Sequence, residues 1–209
     1  MEIFRKNIVI KPVFKYTRFA KTNLSPDNFR KLFELSVNEV IKEENRSFDF
    51  QVDDDNREFI NDMFYYLNYD SKYSGDCDRG ILLIGQIGCG KTFLMKTMFK
   101  IIELACNKLV VQIHAKSLLY EIESKGIEFF RKRALYIDDL GKEEKEGKIY
   151  GNIHHPVEDI ISYREMYNSI TFASGNYQMK TYQEFYTKHI IDRMGKMFNI
   201  HTLKGGSRR

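Results

Sequence analysis

The most informative absences in this 209-residue chain concern membrane spans, signal peptides and metal ligands. No apolar run approaches the roughly 20 residues that a membrane-spanning helix needs, and no signal-peptide core follows Met1. The three cysteines, Cys77, Cys89 and Cys106, are odd in number, and neither they nor the five histidines have metal-ligand spacing. These absences predict a protein of the reducing cytoplasm with no membrane association and no structural metal site.

The composition allows one sizeable domain with a packed core. Hydrophobic residues make up 43% of the chain and charged residues 30%, and the length is enough for one α/β domain with an appendage. The formal net charge of +4 permits contact with nucleic acid without requiring it. The composition therefore predicts the size and general class of the domain, whereas its function must be inferred from sequence motifs.

A phosphate-binding motif lies between an apolar run and a helical pattern. The run is Ile81–Ile84, and the motif that follows has the form G-x-x-x-x-G-K-[ST]. Its glycines let backbone N–H groups face phosphate oxygens, Lys91 would reach the β- and γ-phosphates, and Thr92 would ligate Mg²⁺. The sequence therefore predicts a nucleotide site formed by Gly85, Gln86, Ile87, Gly88, Cys89, Gly90, Lys91, Thr92 and the adjoining Phe93.

Two acidic residues end a second apolar strand, as in a Walker B motif. Residues 134–137 are followed by Asp138 and Asp139, on the third strand of an alternating β/α series. Asp138 would hold Mg²⁺, directly or through water, and Asp139 would orient or deprotonate the attacking water. The fourth predicted strand ends at Gly175-Asn176, and in a doubly wound sheet a polar residue there would lie beside these acids.

The first 47 residues contain a short predicted strand at 7–11 and a clear helix. Ser25 is a good N-cap, Pro26 suits the first helical position, and an apolar stripe runs from Phe29 to Ile41. Two interpretations stay open, a helix docked on the main domain or a partner-binding arm. Further along, three acids at 53–55 precede a helix from about residue 56, and favourable charge at a helix start explains them more simply than a metal site.

The middle of the chain gives weaker signals. Residues 141–155 form a charged stretch, which we expect to be a solvated loop. Arg164 lies on the apolar stripe of the next predicted helix, and we expect it to extend its charged end to solvent, the alternative being a role at a subunit interface. A last strand is predicted over 199–203.

Taken together, these motifs resemble the AAA+ ATPases of the DnaC helicase-loader and IstB transposition-protein type. The resemblance covers roughly residues 48–209 and is carried by the segments 85–92, 135–141, 174–177, 191–194 and 203–209. It implies an α/β, P-loop NTPase (AAA+) three-layer sandwich with a five-stranded parallel sheet, helices on both faces and no C-terminal helical lid. Since the resemblance leaves out the first 47 residues, we expect two parts, an N-terminal helical appendage over 1–47 and an ATPase domain over 48–209.

The same resemblance implies ATP and Mg²⁺ as cofactors and assigns further roles. Asn176 falls at the sensor-1 position, where it would help place the attacking water. Arg193 falls at the arginine-finger position, from which it would act on ATP bound to a neighbouring copy, so that turnover needs a homo-oligomer. The alternative for Arg193 is a surface salt bridge. Without a lid there is no lid-borne sensor arginine, and Arg208 or Arg209 would partly substitute.

The function that the resemblance favours is an oligomeric ATPase switch that loads or remodels a replicative helicase on DNA. The alternative is an ATPase that delivers a transposase to target DNA. A small-molecule P-loop kinase fits Asp138, Asp139, Asn176 and Arg193 less well. An inactive binding protein is disfavoured by the intact set of Lys91, Thr92, Asp138 and Asp139. Candidate contacts to single-stranded DNA are Lys116, Lys125 and Arg131–Arg133, although a solvated charge is the simpler interpretation of each lysine.

Overall fold

The structure is a computed structural model that describes residues 21–45 and 47–208. The strand predicted at 7–11 lies outside these described residues. The described chain forms two compact units, one made of the residues up to Cys77 with Thr92–Leu109, the other of Asp78–Lys91 with the residues from Val110 onward. The division at residues 47 and 48 stays a prediction.

The first unit begins with helix α1, Pro26–Glu43. The Ser25 side chain accepts a hydrogen bond from the backbone N–H of Asn28, and Pro26 occupies the first turn. Phe29, Leu32, Phe33, Val37 and Val40 are buried and Ile41 is half-buried, so the predicted apolar stripe is confirmed.

Helix α2, Arg57–Asn68, follows the three acids in the same unit. The Asp53 side chain accepts hydrogen bonds from the backbone N–H groups of Asp55 and Asn56, which fixes the start of the helix. Among the described residues, no group of three or more His, Cys, Asp or Glu side chains could hold a metal ion. Asp53 therefore serves the helix start, and the role of the other two acids stays a prediction.

The second unit contains a five-stranded sheet in the order β2-β3-β6-β1-β7, and every neighbouring pair is parallel. The apolar runs of its central strands are buried on both faces, as parallel sheets require. The predicted sheet is thus confirmed. Its strands are β1 Gly80–Gly85, β2 Val110–His114, β3 Ala134–Leu140, β6 Thr171–Gly175 and β7 Phe198–Leu203.

Helices follow the strands in alternation. One face of the sheet presents Leu82, Ile137 and Ala173 to a core that also includes Ile160 and Met194 from helices of the same unit. Within residues 21–45 and 47–208, no helix is long and apolar enough to cross a membrane. The remaining helices are α3 Lys91–Cys106, α4 Leu118–Lys125, α5 Pro156–Met166, α6 Met179–Phe185 and α7 Lys188–Met197, with 3₁₀ turns at Ala115–Ser117 and Ile127–Phe130.

The charged stretch at 141–155 is more ordered than predicted. Strands β4, Gly147–Ile149, and β5, Asn152–His154, pair as an antiparallel hairpin. The two turn residues between them, Tyr150 and Gly151, have φ of 49° and 84°, the left-handed region that two-residue hairpin turns of type I′ use. Tyrosine is not the usual residue at the first of these positions, and the hairpin was therefore missed in the sequence.

The prediction that Arg164 extends to solvent is wrong. Its side chain is fully buried, and Nε donates to Thr171 Oγ1 at 2.9 Å. Its Nη atoms donate to the backbone carbonyls of Phe130, Arg133 and Ile170. Burial lowers the pKa of Arg164 to about 9, so the group is still charged at neutral pH. A guanidinium has five N–H donors, and here they tie helix α5 to the starts of strands β3 and β6.

Candidate nucleotide-binding site

The carboxyl ends of the parallel strands meet at one edge of the sheet. Strand β6 lies between β3 and β1, so the residues after these three strands are neighbours. Asp138 and Asp139 lie near the end of β3, Asn176 follows β6, and the glycine-rich loop follows β1. This edge is where open α/β sheets bind their ligands.

The loop has the backbone geometry that its glycines predict. Gly88 and Gly90 have φ of 84° and 103°, a region that residues with a Cβ rarely adopt. Helix α3 begins at Lys91, directly after the loop. The motif therefore stands between a buried strand and a helix, as a phosphate-binding loop requires.

Lys91 is buried within the loop, with 5% of its surface exposed. Its ammonium group donates to the carbonyl oxygens of Gly85 at 2.9 Å and Gln86 at 2.8 Å, and to Asn176 Oδ1 at 2.9 Å. Burial lowers the pKa of Lys91, while Cys89 and the carboxylates of Asp139 and Asp138 act in the opposite direction. A buried cation is thus held by oxygen acceptors at the place where phosphates are expected.

Asn176 joins the lysine to the acid. Its amide nitrogen donates to Asp139 Oδ1 at 2.9 Å, while its amide oxygen accepts from Lys91. Since an ammonium group can only donate and a carboxylate can only accept, the two neighbours fix the orientation of the amide. The predicted proximity of Asn176 to the acids is confirmed.

Asp139 has an unusual backbone conformation for a residue with a side chain. Its φ is 58°, and the register between β3 and β6 shifts between Ile137 and Leu140. Lys142 Nζ lies 2.7 Å from its carboxylate and His114 Nε2 lies 3.4 Å away. Burial acts to raise the pKa of Asp139, but Lys142, Asn176 and His114 together lower it below its ordinary value. Asp139 is therefore ionised at neutral pH.

Asp138 is held by two hydroxyl groups. Tyr136 donates from its hydroxyl at 2.7 Å, and Ser174 donates to the same carboxylate oxygen. Ser174 Oγ also accepts from the backbone N–H of Asp139 at 3.2 Å. These two partners were missed in the sequence analysis. The alternation of side chains along a strand could have indicated Tyr136, because residues 136 and 138 point to the same face. Ser174 could not be predicted in this way, because its contact with Asp138 depends on the order of the strands in the sheet.

The donor chemistry at this site fits Mg²⁺. A carboxylate oxygen is a ligand that this ion prefers, and Asp138 carries one at this edge, whereas Thr92 as a second ligand stays a prediction. Thr92 follows Lys91 as the second residue of α3. Mg²⁺ usually keeps several waters and binds one or two protein groups with substrate phosphates, so a small donor set is sufficient.

Two predicted site residues have other surroundings. Arg193, on α7, forms an ion pair with Glu165 of α5, and 37% of its side chain is exposed. This ion pair fits the salt-bridge alternative, and the role toward a neighbouring copy stays a prediction. Phe93 is buried, and its ring stacks on that of Phe50 within the first unit, with 5.2 Å between the ring centroids.

The candidate DNA-contacting residues are mostly engaged within the fold. Arg131 lies over the ring of Tyr167 at 5.3 Å, and Arg133 over that of Phe129 at 4.4 Å. Lys125 pairs with Glu121. These contacts leave DNA binding at these residues as a prediction.

Comparisons with known proteins support the fold. No protein-family model matches the chain, and no curated protein sequence matches it. A DnaC helicase loader is similar in structure, with 17% identity over 75% of this chain and 94% of that one and a TM-score of 0.58. DnaI is similar with 20% identity over 86% and 93% of the two chains and a TM-score of 0.58. AMPPCP-bound DnaA from Aquifex aeolicus has 15% identity over 74% and 48% of the two chains, with a TM-score of 0.51. At these identities the similarity establishes the P-loop fold of AAA+ proteins.

Proposed function

We propose that this chain, which has the AAA+ fold, binds ATP with Mg²⁺ and hydrolyses it at the carboxyl edge of its sheet. The observation that carries the proposal is the chain of contacts from Lys91 through Asn176 to Asp139. A cation, an oriented amide and an ionised carboxylate from three segments are what phosphoryl transfer to water requires. A phosphate loop alone would support binding without turnover.

Each group has a defined task in the proposed reaction. Lys91 exchanges its carbonyl partners at Gly85 and Gln86 for β- and γ-phosphate oxygens. Asn176 holds the water in line with the γ-phosphate, and Asp139, already ionised, accepts the proton that the water loses. Mg²⁺, when bound, neutralises charge on the phosphates. The hydroxyl groups of Tyr136 and Ser174 keep the Asp138 carboxylate in one orientation for the ion.

Assembly supplies the remaining charge in this proposal. Arg193 is partly exposed and its partner is a single carboxylate, Glu165. Exposed ion pairs contribute only about 0–1 kcal/mol, so exchanging Glu165 for the phosphates of a neighbouring copy costs little. Turnover then depends on contact between copies, which suits a switch.

The process that the proposal favours is loading of a replicative helicase on DNA. Support comes from the structural similarity to a helicase loader, together with the sequence motifs that led to the same family. Single-stranded DNA is the expected nucleic acid, bound through phosphate contacts that weaken with salt. Delivery of a transposase to target DNA is the alternative outcome of the test below.

The nucleotide half of the proposal is tested by ATP turnover of the purified chain with and without single-stranded DNA and Mg²⁺. We expect Mg²⁺-dependent hydrolysis that rises with protein concentration and with DNA. Phosphate transfer to a small acceptor, with no response to DNA or concentration, would contradict the proposal and indicate a kinase.

The partner half is tested by binding to a purified replicative helicase from the same source, with ATP, with ADP and without nucleotide. We expect micromolar or tighter binding that changes with the nucleotide. Absence of binding, with capture of a transposase instead, would favour the transposition role. Hydrolysis without either partner would leave the ATPase proposal intact and reject helicase loading.

A further inference from the structure

The segment that follows β7 lies against the phosphate loop. Strand β7 pairs with β1 in parallel over its whole length, from Gly80 opposite Phe198 to Gly85 opposite Leu203. The chain therefore leaves β7 at the level where the phosphate loop leaves β1. Gly205, with φ of 91°, then provides a left-handed turn, and residues 204–208 continue beside the loop. We refer to residues 204–208 as the strap.

The strap covers two of the loop glycines. A Cβ on Gly88 would lie 2.5 Å from Ser207 Oγ and 3.2 Å from Ser207 Cα, and a Cβ on Gly90 would lie 3.9 Å from Arg208 Cδ. Gly88 is thus needed for its backbone conformation and also for the close approach of Ser207. Both the side chain and the Cα of Ser207 are this close, so a side chain at position 88 would require Ser207 to shift.

A backbone hydrogen bond fixes the strap to the loop. The N–H of Arg208 donates to the carbonyl oxygen of Gly88 at 2.9 Å. A trans peptide is planar, with its carbonyl and the following N–H pointing in opposite directions. Holding the Gly88 carbonyl toward the strap therefore turns the N–H of Cys89 away from it. That N–H now makes only a long bond of 3.4 Å, to the carbonyl of Gln86, and can change partner.

We propose that the strap is a positioning element of the nucleotide site, in which the backbone N–H of Arg208 holds the Gly88–Cys89 peptide ready to bind a phosphate oxygen. The role is one of positioning, since the strap acts through the loop. The ligand class is the polyphosphate of a nucleoside di- or triphosphate. This inference rests on the proposed function, because it requires that the loop binds a nucleotide.

The test compares two substitutions at one position. Arg208→Pro removes the N–H donor together with the side chain, whereas Arg208→Ala removes the side chain and keeps the donor. Affinity for a fluorescent ADP is measured by titration for both variants and for the unaltered chain. We expect the proline variant to bind about tenfold more weakly than the alanine variant, since one hydrogen bond is at stake. At saturating ATP, kcat should be the same in the two variants.

A second pair of variants does not depend on proline. Ser207→Leu is too large for the contact with Gly88 and should displace the strap, whereas Ser207→Ala fits. We expect the leucine variant to reproduce the weaker binding, with thermal unfolding unchanged between the two variants.

The outcomes separate the two proposals. Equal affinity of the proline and alanine variants, or of the leucine and alanine variants, would overturn the positioning role. An unaltered chain that binds no nucleotide would instead reject the proposed function itself.

Discussion

Two regions of the second unit differ in how their charged groups are bonded and exposed. At the sheet edge, Lys91, Asn176 and Asp139 come from three segments far apart in the sequence and contact one another. On the surface of α5 and α7, Arg193 and Glu165 form a partly exposed ion pair. Exposed apolar side chains line a cavity together with this pair, namely Tyr150 and Ile153 of the β4–β5 hairpin and Met166 of α5.

The difference indicates what each region can do. At the edge, the groups already satisfy one another, so a ligand must match their geometry to replace those contacts. On the α5–α7 surface, a screened ion pair beside exposed apolar groups can exchange partners at small cost. The edge therefore suits chemistry, and the surface suits contact with another copy. The following variants test this contrast, beginning with the largest expected effect.

Lys91→Ala should abolish ATP turnover and weaken nucleotide binding, because the cation that contacts Asn176 at the edge is lost. Turnover is measured by phosphate release and binding by titration. Lys96→Ala is the control on the same helix, since Lys96 pairs with Glu44. Normal turnover by Lys91→Ala would show that the edge is not the reaction site.

Arg193→Ala should leave ATP binding intact and lower turnover of the assembled protein about a thousandfold, the scale of an arginine finger. An equal mixture of Arg193→Ala and Lys91→Ala proteins should recover part of the turnover. Some contacts in the mixture join an intact loop on one copy to an intact Arg193 on the next. If the mixture recovers no turnover, and dilute Arg193→Ala protein alone has full turnover, the arginine-finger role is wrong. Arg193 would then serve only in a surface salt bridge.

Arg164→Met should lower the free energy of unfolding by about 3 kcal/mol, because three backbone carbonyls and Thr171 lose a buried donor. Arg193→Met is the matched control and should cost less than about 1 kcal/mol, since its ion pair is partly exposed. Urea denaturation measures both. An equal loss of unfolding free energy in the two variants would mean that the buried arginine contributes no more to stability than the partly exposed one.

Lys142→Met should raise the pKa of Asp139, because the nearest cation, at 2.7 Å, is removed. A lowered carboxyl pKa stabilises the folded state at pH above the unfolded value of about 4, and this contribution is lost as pH falls through the folded pKa. In the variant, the stabilisation by the ionised Asp139 should therefore begin to be lost at a higher pH than in the unaltered chain. Carbon NMR of the carboxyl group follows the titration, with Lys145→Met as the control.

Local patterns were enough to predict most of the helices and strands, whereas the five-stranded parallel sheet was predicted from the family resemblance. The apolar runs at 81–84 and 134–137, the cap at Ser25 and the glycine spacing at 85–92 each depend on neighbours in the sequence. The hairpin at 147–154 was missed because its turn begins with Tyr150, and Arg164 was misplaced because a stripe position does not indicate which carbonyls lie nearby.

The sequence by itself determined that a G-x-x-x-x-G-K-[ST] loop follows one apolar run and that two acids follow another, because each is a contiguous pattern. Only the tertiary structure decided that Asn176 contacts both Lys91 and Asp139, that Ser174 holds Asp138, and that Arg208 is bonded to Gly88. These contacts follow from the strand order and from the pairing of β7 with β1. Strand order is set by packing of the whole sheet, and no local pattern contains it.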